Sequence, residues 1–308
     1  MIGRSDLADD PRFKTNELRL QYRDELRKIT RLGRVEERME EDKVVTADAQ
    51  SFVQTEVQDT IGIITLNDPH RANCLSPDLI NEVLAALADF ERQAVRVVVL
   101  RAYAGARIFS AGHDLKEIHP DGTDPLSYNE LFERLLRAFR RNPAPIIAMI
   151  EGSVWGGACD LAATCDILVG MPSSTFSITP AKLGIAYNVA GLNHFMGALA
   201  VHIFKEMLFT ANPLSAEEAY RLGFLNRLVE VNNLEETTME IAMAIASRAP
   251  LEVKLLRLEM QKLTDGLSMK PDDYEEIQGM RRTVYRSDDF KEGVRAFFEK
   301  RTPQFQNR

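Results

Sequence analysis

The sequence predicts an α/β fold in which buried strands alternate with amphipathic helices, followed by a mainly helical C-terminal region. Three observations predict it. VRVVVLRA (95–102) and PIIAMIEG (145–152) are continuous apolar runs, the pattern of strands buried on both faces. Between them lie segments whose apolar residues recur at three- and four-residue steps, as on one face of a helix. Beyond about residue 195 the strand patterns give way to helical ones. Strands and helices in alternation imply layers joined by right-handed crossovers.

Residues 1–50 stand apart, dense in mixed charge and without strand patterns. Leu18, Tyr22, Leu26, Ile29, Leu32, Val35 and Met39 follow helical spacing. They predict an amphipathic helix that packs on its own domain or a sister subunit, with docking to another partner as the alternative. Gly33 weakens its continuity. FVQTEVQDTIGIITLN (52–67) alternates apolar and polar residues around a turn at Asp59–Gly62, which predicts a β-hairpin. Ser76 and Pro77 open a helix over 76–93 as N-cap and first helical residue. LSYNELFERLLRAFRR (126–141) is a second helix, stopped at Asn142-Pro143. A short helix starts at the glycines after Trp155, and DILVG (166–170) is a further strand. Ser215 and Glu218 have the spacing of a capping box. Three amphipathic stretches, 233–249, 251–265 and 288–301, complete the chain. The expected organisation is an N-terminal extension (1–50), an α/β core (51–195) and a helical C-terminal region (196–308).

Bulk composition narrows the function. A formal net charge of -8 on 308 residues argues against nucleic acid as a partner. Cys74, Cys159 and Cys165 form no CxxC pair, so a reducing compartment is expected. The first residues carry charge and no apolar core, unlike a secretory signal, and no window has the apolar length of a membrane helix. Together these predict a cytoplasmic protein that needs no membrane. There is no P-loop and no GxGxxG fingerprint. His70, His113, His119, His194 and His202 show no metal-ligand spacing. Ser153 lies in EGSVWGG, not in a GxSxG nucleophile elbow.

Two turns point to chemistry. FSAGHDLKEI (109–118) follows a strand, and Ser110, Ala111 and Gly112 are small enough to let backbone approach a ligand. IEGSVWGGACDLA (150–162) runs from a buried strand through Gly156 and Gly157 into a helix, whose first N–H groups lack partners. Two such turns in one core can aim two backbone N–H groups at a single oxygen, as an oxyanion hole does.

From residue 51 onward the chain resembles the crotonase superfamily, also called the enoyl-CoA hydratase/isomerase family. The resemblance rests on RANCLS (71–76), FSAGHD (109–114), EGSVWGGACDLA (151–162), CDILVG (165–170), STFSITPAKLG (174–184) and EGVRAFFEKRTPQF (292–305). It implies a spiral of β-β-α units with a helical C-terminal region that builds a homotrimer or a dimer of trimers. It implies an acyl-CoA substrate and no cofactor beyond the coenzyme A that the substrate carries. It also implies that the N–H groups of His113 and Gly157 hold the thioester oxygen, with the His113 imidazole not needing to react. Arg71, Ala72, Ala111, Gly156 and Asp160 are implied around the substrate. Trp155 either packs under the turn or lines the acyl pocket. Lys300 resembles a position that meets the CoA phosphates from a neighbouring subunit.

Hydratases of this family use two glutamates. Here one position is Asp160, one methylene shorter, and the other is Pro180. Proline can neither give nor take a proton. Asp160 also falls where a helix N-terminus by itself satisfies a carboxylate. A malonyl-type thioester carries its own carboxylate and forms the enolate by losing CO2, without a base. An enzyme glutamate facing that carboxylate would repel it, whereas Thr179 and Tyr187 are neutral. SVWGGA, FSITP, LGIAYN and QGMRRTVYRSDDFKEG resemble the methylmalonyl-CoA decarboxylases of the superfamily. That implies conversion of methylmalonyl-CoA to propionyl-CoA and CO2, with Tyr187 orienting the substrate carboxylate or helping at protonation and Thr179 as a second contact. The rival readings are an enoyl-CoA hydratase or isomerase working through Asp160, and a non-catalytic crotonase-fold binding protein.

Overall fold

The computed structural model describes residues 51–117, 124, 126–264 and 271–306. The expected N-terminal helix and His119 lie outside the described residues. β1 (Val53–Gln58) and β2 (Ile61–Leu66) form the expected antiparallel hairpin, turning at Asp59 with φ 54°. α1 (Pro77–Arg92) starts with the Ser76 hydroxyl accepting from the Leu79 N–H at 3.4 Å. β3 (Val97–Ala102) and β4 (Ile108–Ser110) follow, then α2 (Leu131–Arg141). This helix begins five residues later than its pattern suggested, because residues 126–130 form turns.

β5 (Ile146–Ile150), β6 (Ser153–Trp155), α3 (Gly157–Ala163), β7 (Ile167–Gly170) and β8 (Thr175–Ser177) complete the central part. α4 (Pro180–Leu183), α5 (Val189–Met196), α6 (Val201–Thr210), β9 (Leu214–Ser215), α7 (Ala216–Arg221) and β10 (Arg227–Leu228) come next. α8 (Val231–Ala246), α9 (Pro250–Thr264), α10 (Pro271–Arg286) and α11 (Asp288–Phe298) are the last helices. Residues 51–308 group as one compact unit.

The strands form two sheets. The larger runs β1-β2-β3-β5-β7-β10, parallel except for the β1–β2 hairpin. The smaller runs β4-β6-β8-β9, with β9 antiparallel. The apolar runs have a direct cause. Successive strand residues point to opposite faces. Ile63, Val97, Val99, Ile147 and Met149 meet Leu234 and Ala242 of α8 on one face. Ile64, Leu66, Val98, Leu100, Ile146 and Ala148 meet α1, α2 and the smaller sheet on the other. Each fully buried side chain of this size contributes about 1.5–3 kcal/mol. The C-terminal region is not purely helical: β9 and β10 add an edge strand to each sheet. Two-residue strands are too short to leave a period in the sequence.

Candidate active site

Three neighbouring strands of the smaller sheet, β4, β6 and β8, run parallel and end on the same side. The carboxyl ends of parallel strands are where α/β sheets gather ligands. β4 delivers Ala111, Gly112 and His113. β6 delivers Gly156 and Gly157. β8 delivers Thr179.

Gly112 has φ +83°, and a methyl group built on it would lie 2.3 Å from the Trp155 carbonyl oxygen and 2.9 Å from the Gly157 nitrogen. Only glycine allows that approach. A methyl group on Gly157 would lie 3.3 Å from the His113 nitrogen. The two amides are therefore neighbours. Gly157 is the first residue of α3, where an N–H has no acceptor within the helix. Among the described residues neither amide donates to a turn or loop carbonyl. Two free donors side by side are what a developing oxyanion requires.

The RANCLS segment braces this loop. The Leu75 N–H donates to the Gly112 carbonyl at 2.8 Å, and the Ala111 N–H to the Ala72 carbonyl at 2.9 Å. The Ser110 hydroxyl donates to the Asn73 carbonyl at 2.7 Å, and the Asn73 amide to the Phe109 carbonyl at 2.9 Å. Arg71, half-exposed, bonds Asp68 at 2.8 Å and the Ser76 hydroxyl at 2.7 Å, and stands 3.6 Å from Asp114. Within the chain its guanidinium thus ties the brace together.

Both ring nitrogens of His113 are buried and, among the described residues, without hydrogen-bond partners. Its ring meets Phe132 edge-on at 5.4 Å. Burial pushes its pKa down to about 4, the nearby Asp114 only partly opposing this. The imidazole is therefore neutral near pH 7.

Thr179 and Tyr187, the two neutral residues singled out in the sequence, lie against the second turn and the helix it opens. A methyl group on Gly156 (φ +53°) would lie 3.3 Å from the Thr179 hydroxyl, so that hydroxyl sits against the second turn. Asp160 does lie in the first turn of α3. It is not satisfied by the helix terminus, however. It is 2% exposed and accepts from the Tyr187 hydroxyl at 3.0 Å and meets His194 Nδ1 at 2.6 Å. Burial pushes the Tyr187 phenol well above its ordinary pKa, and the adjacent Asp160 charge pushes the same way. Tyr187 keeps its proton at any ordinary pH.

Sequence reasoning missed three partners here. His194 was weighed only as a metal ligand, yet its Nε2 lies 3.3 Å from Arg140 Nη1. Glu133, on α2, is 4% exposed and accepts from the Asn188 side chain. Burial raises its pKa, against the pull of the Asn188 bond and with the help of the Asp160 charge. A methyl group on Gly191 would lie 2.6 Å from Asp160 Oδ2 and 2.8 Å from Tyr187 Cε1, so α5 can press on the pair only through glycine. Glu133 sits within a helical pattern rich in charged residues, and nothing in its spacing marked it. Trp155 closes β6, paired with Ser177 and half-buried. Lys300 is exposed just beyond α11, with φ 54°.

Known proteins share this frame. The family model for enoyl-CoA hydratase/isomerase matches residues 56–308. A methylmalonyl-CoA decarboxylase of Escherichia coli strain K12 is 41% identical over 254 residues, covering 82% of this chain and 97% of the relative. A short-chain-enoyl-CoA hydratase of Clostridium acetobutylicum is 28% identical, covering 82% and 97%. A solved methylmalonyl-CoA decarboxylase in complex with 2-nitronate-propionyl-CoA superposes with a TM-score of 0.82 at 40% identity, covering 83% of this chain and 99% of the other. With its two strand-end turns, its paired amides and a match running from residue 56 to the last residue, the chain belongs to the enoyl-CoA hydratase/isomerase family.

Proposed function

We propose that the protein decarboxylates methylmalonyl-CoA to propionyl-CoA and CO2 through a thioester enolate. The observation that carries this reading is the pairing of two free amides, His113 and Gly157, with neutral Thr179 and Tyr187 where a hydratase needs free carboxylates. The thioester oxygen accepts from both amides. The bond between the carboxylate carbon and the α-carbon breaks, and its electron pair passes into the enolate as CO2 leaves. The α-carbon then takes one proton. No base is required. Among the described residues the Thr179 hydroxyl has no hydrogen-bond partner, which leaves it available to the substrate carboxylate. The amides stabilise charge only after it has moved to the thioester oxygen, so they act on the transition state more than on the substrate.

The hydratase reading asks Asp160 to manage water. Its two oxygens are already engaged by Tyr187 and His194 in a buried position. A non-catalytic binding protein would have no use for two amides left unpaired. The test is turnover of methylmalonyl-CoA and crotonyl-CoA by the purified protein, followed by mass spectrometry.

The same reading extends to assembly. α9 buries only Arg257 and leaves Leu251, Leu255, Leu256, Leu258, Met260 and Leu263 exposed. An apolar face of that kind suits an interface between copies of the chain. A homotrimer or dimer of trimers would cover it and would bring a neighbour's Lys300 within reach of CoA phosphates. No helix among the described residues is long and apolar enough to cross a membrane, which fits work in the cytoplasm on an acyl-CoA.

A further inference from the structure

Four side chains from three helices and one loop meet in a line: Arg140 on α2, His194 on α5, Asp160 on α3 and Tyr187 just before α5. Elementary hydrogen-bond chemistry fixes every direction in it. A guanidinium only donates. At 3.3 Å from Arg140 Nη1, His194 Nε2 must therefore be the bare, accepting nitrogen. The ring proton then sits on Nδ1, 2.6 Å from Asp160 Oδ1, and is donated there. The other carboxylate oxygen, Oδ2, takes the Tyr187 hydrogen at 3.0 Å. All hydrogens in the line thus point towards Asp160. The groups that face His194 across this packing are Asp160, Arg140 and, at longer range, Glu133.

We propose that His194 is a positioning residue: held by Arg140 in its Nδ1–H form, it anchors Asp160 so that the Asp160 carboxylate commits the Tyr187 hydrogen and fixes the phenol in the acyl site. This rests on the decarboxylase reading for its consequence in turnover. Two things follow. Tyr187 is not the acid that protonates the enolate, because giving up its hydrogen would leave a phenolate against a carboxylate. The phenol then acts through its fixed position, while Thr179 remains the hydroxyl able to donate to the substrate carboxylate. The shorter Asp160 also acquires its reason. With one methylene fewer than glutamate, its carboxylate meets two donors at once, the Tyr187 hydroxyl and the His194 Nδ1–H.

The test uses the full chain and two independent readouts. The first is kinetic, with methylmalonyl-CoA as substrate and propionyl-CoA as a binding probe lacking the carboxylate. His194→Phe is expected to lower kcat about tenfold to a hundredfold, the loss of one hydrogen bond to a charged group. His194→Asn, which keeps an N–H donor near the Nδ1 position, is expected to recover most of it. Propionyl-CoA affinity should change little in either. Added to Tyr187→Phe, His194→Phe should cost nothing further, because it acts through that hydroxyl. Penalties that multiply, or a His194→Phe enzyme as fast as the parent, would overturn the proposal. The second readout needs no turnover: nitrogen-15 NMR of labelled histidines, with the His194 signal identified by its loss in His194→Asn. A bare Nε2 and protonated Nδ1 supports the arrangement, and the opposite tautomer refutes it. A parent enzyme that leaves methylmalonyl-CoA untouched would sink the decarboxylase reading alone, since the NMR result still decides the hydrogen-bond line.

Discussion

The hydroxyl of Tyr187 and the carboxylate of Asp160 lie 3.0 Å apart, joined across 27 residues of chain. Asp160 stands three residues after Gly157, so on α3 the two share a face. The residue bonded to Tyr187 is therefore carried on the same short helix that supplies one of the two neighbouring amides. Anything that moves α3 moves both.

Tyr187→Phe removes the hydroxyl while keeping the ring. Turnover of methylmalonyl-CoA should fall about tenfold to a hundredfold, as for loss of a hydrogen bond to a charged group, with KM little changed. Steady-state kinetics with the purified variant checks this.

Gly191→Ala places a methyl group 2.6 Å from Asp160 Oδ2 and 2.8 Å from Tyr187 Cε1. Neither neighbour is the end of a long flexible chain, so α5 must shift. The expected cost is about 1–3 kcal/mol in stability, read by denaturant unfolding. Turnover should fall at least as far as in Tyr187→Phe, because the shift separates the pair that the glycine lets close.

The line from Tyr187 to Arg140 was not legible in the sequence, and the reason is distance along the chain. His194 lies 34 residues from Asp160 and 54 from Arg140, and single-sequence reading sees only neighbours within a few turns. The hairpin at Asp59 and the helix at Ser76-Pro77 were legible because alternation and capping are local. The smaller sheet was not. β4, β6 and β8 have three residues each, too few to show a period, although they carry the candidate site's turns. The turns themselves could be read, because their glycines are required by backbone geometry that leaves a mark in the sequence.

His113 gives a prediction about pH. Its folded pKa is lowered to about 4 by burial, below an unfolded value near 6.5. Between those values the unfolded chain binds more protons, so stability is full above about pH 6.5 and declines as pH falls towards 4. The loss amounts to about 3 kcal/mol at most, at about 1.4 kcal/mol per pH unit. In His113→Asn that part of the acid sensitivity should vanish, as measured by melting temperature across pH. Turnover near pH 7 should stay within about tenfold of the parent, because the proposed working group is the backbone N–H.

The exposed face of α9 predicts assembly. Leu251, Leu255 and Leu258 follow one another at helical spacing and are 82%, 47% and 48% exposed in the single chain. Leu255→Glu combined with Leu258→Glu should release smaller species in analytical ultracentrifugation. If the parent itself sediments as a monomer, this face has another purpose.

The central claim is that two amides and a neutral acyl site carry out decarboxylation. It is tested most directly by incubating the purified protein with methylmalonyl-CoA and, separately, with crotonyl-CoA, and following both by mass spectrometry. The account predicts propionyl-CoA well above the spontaneous rate and crotonyl-CoA unchanged. Hydration of crotonyl-CoA with methylmalonyl-CoA left intact would contradict it and would make the buried Asp160 the working acid after all.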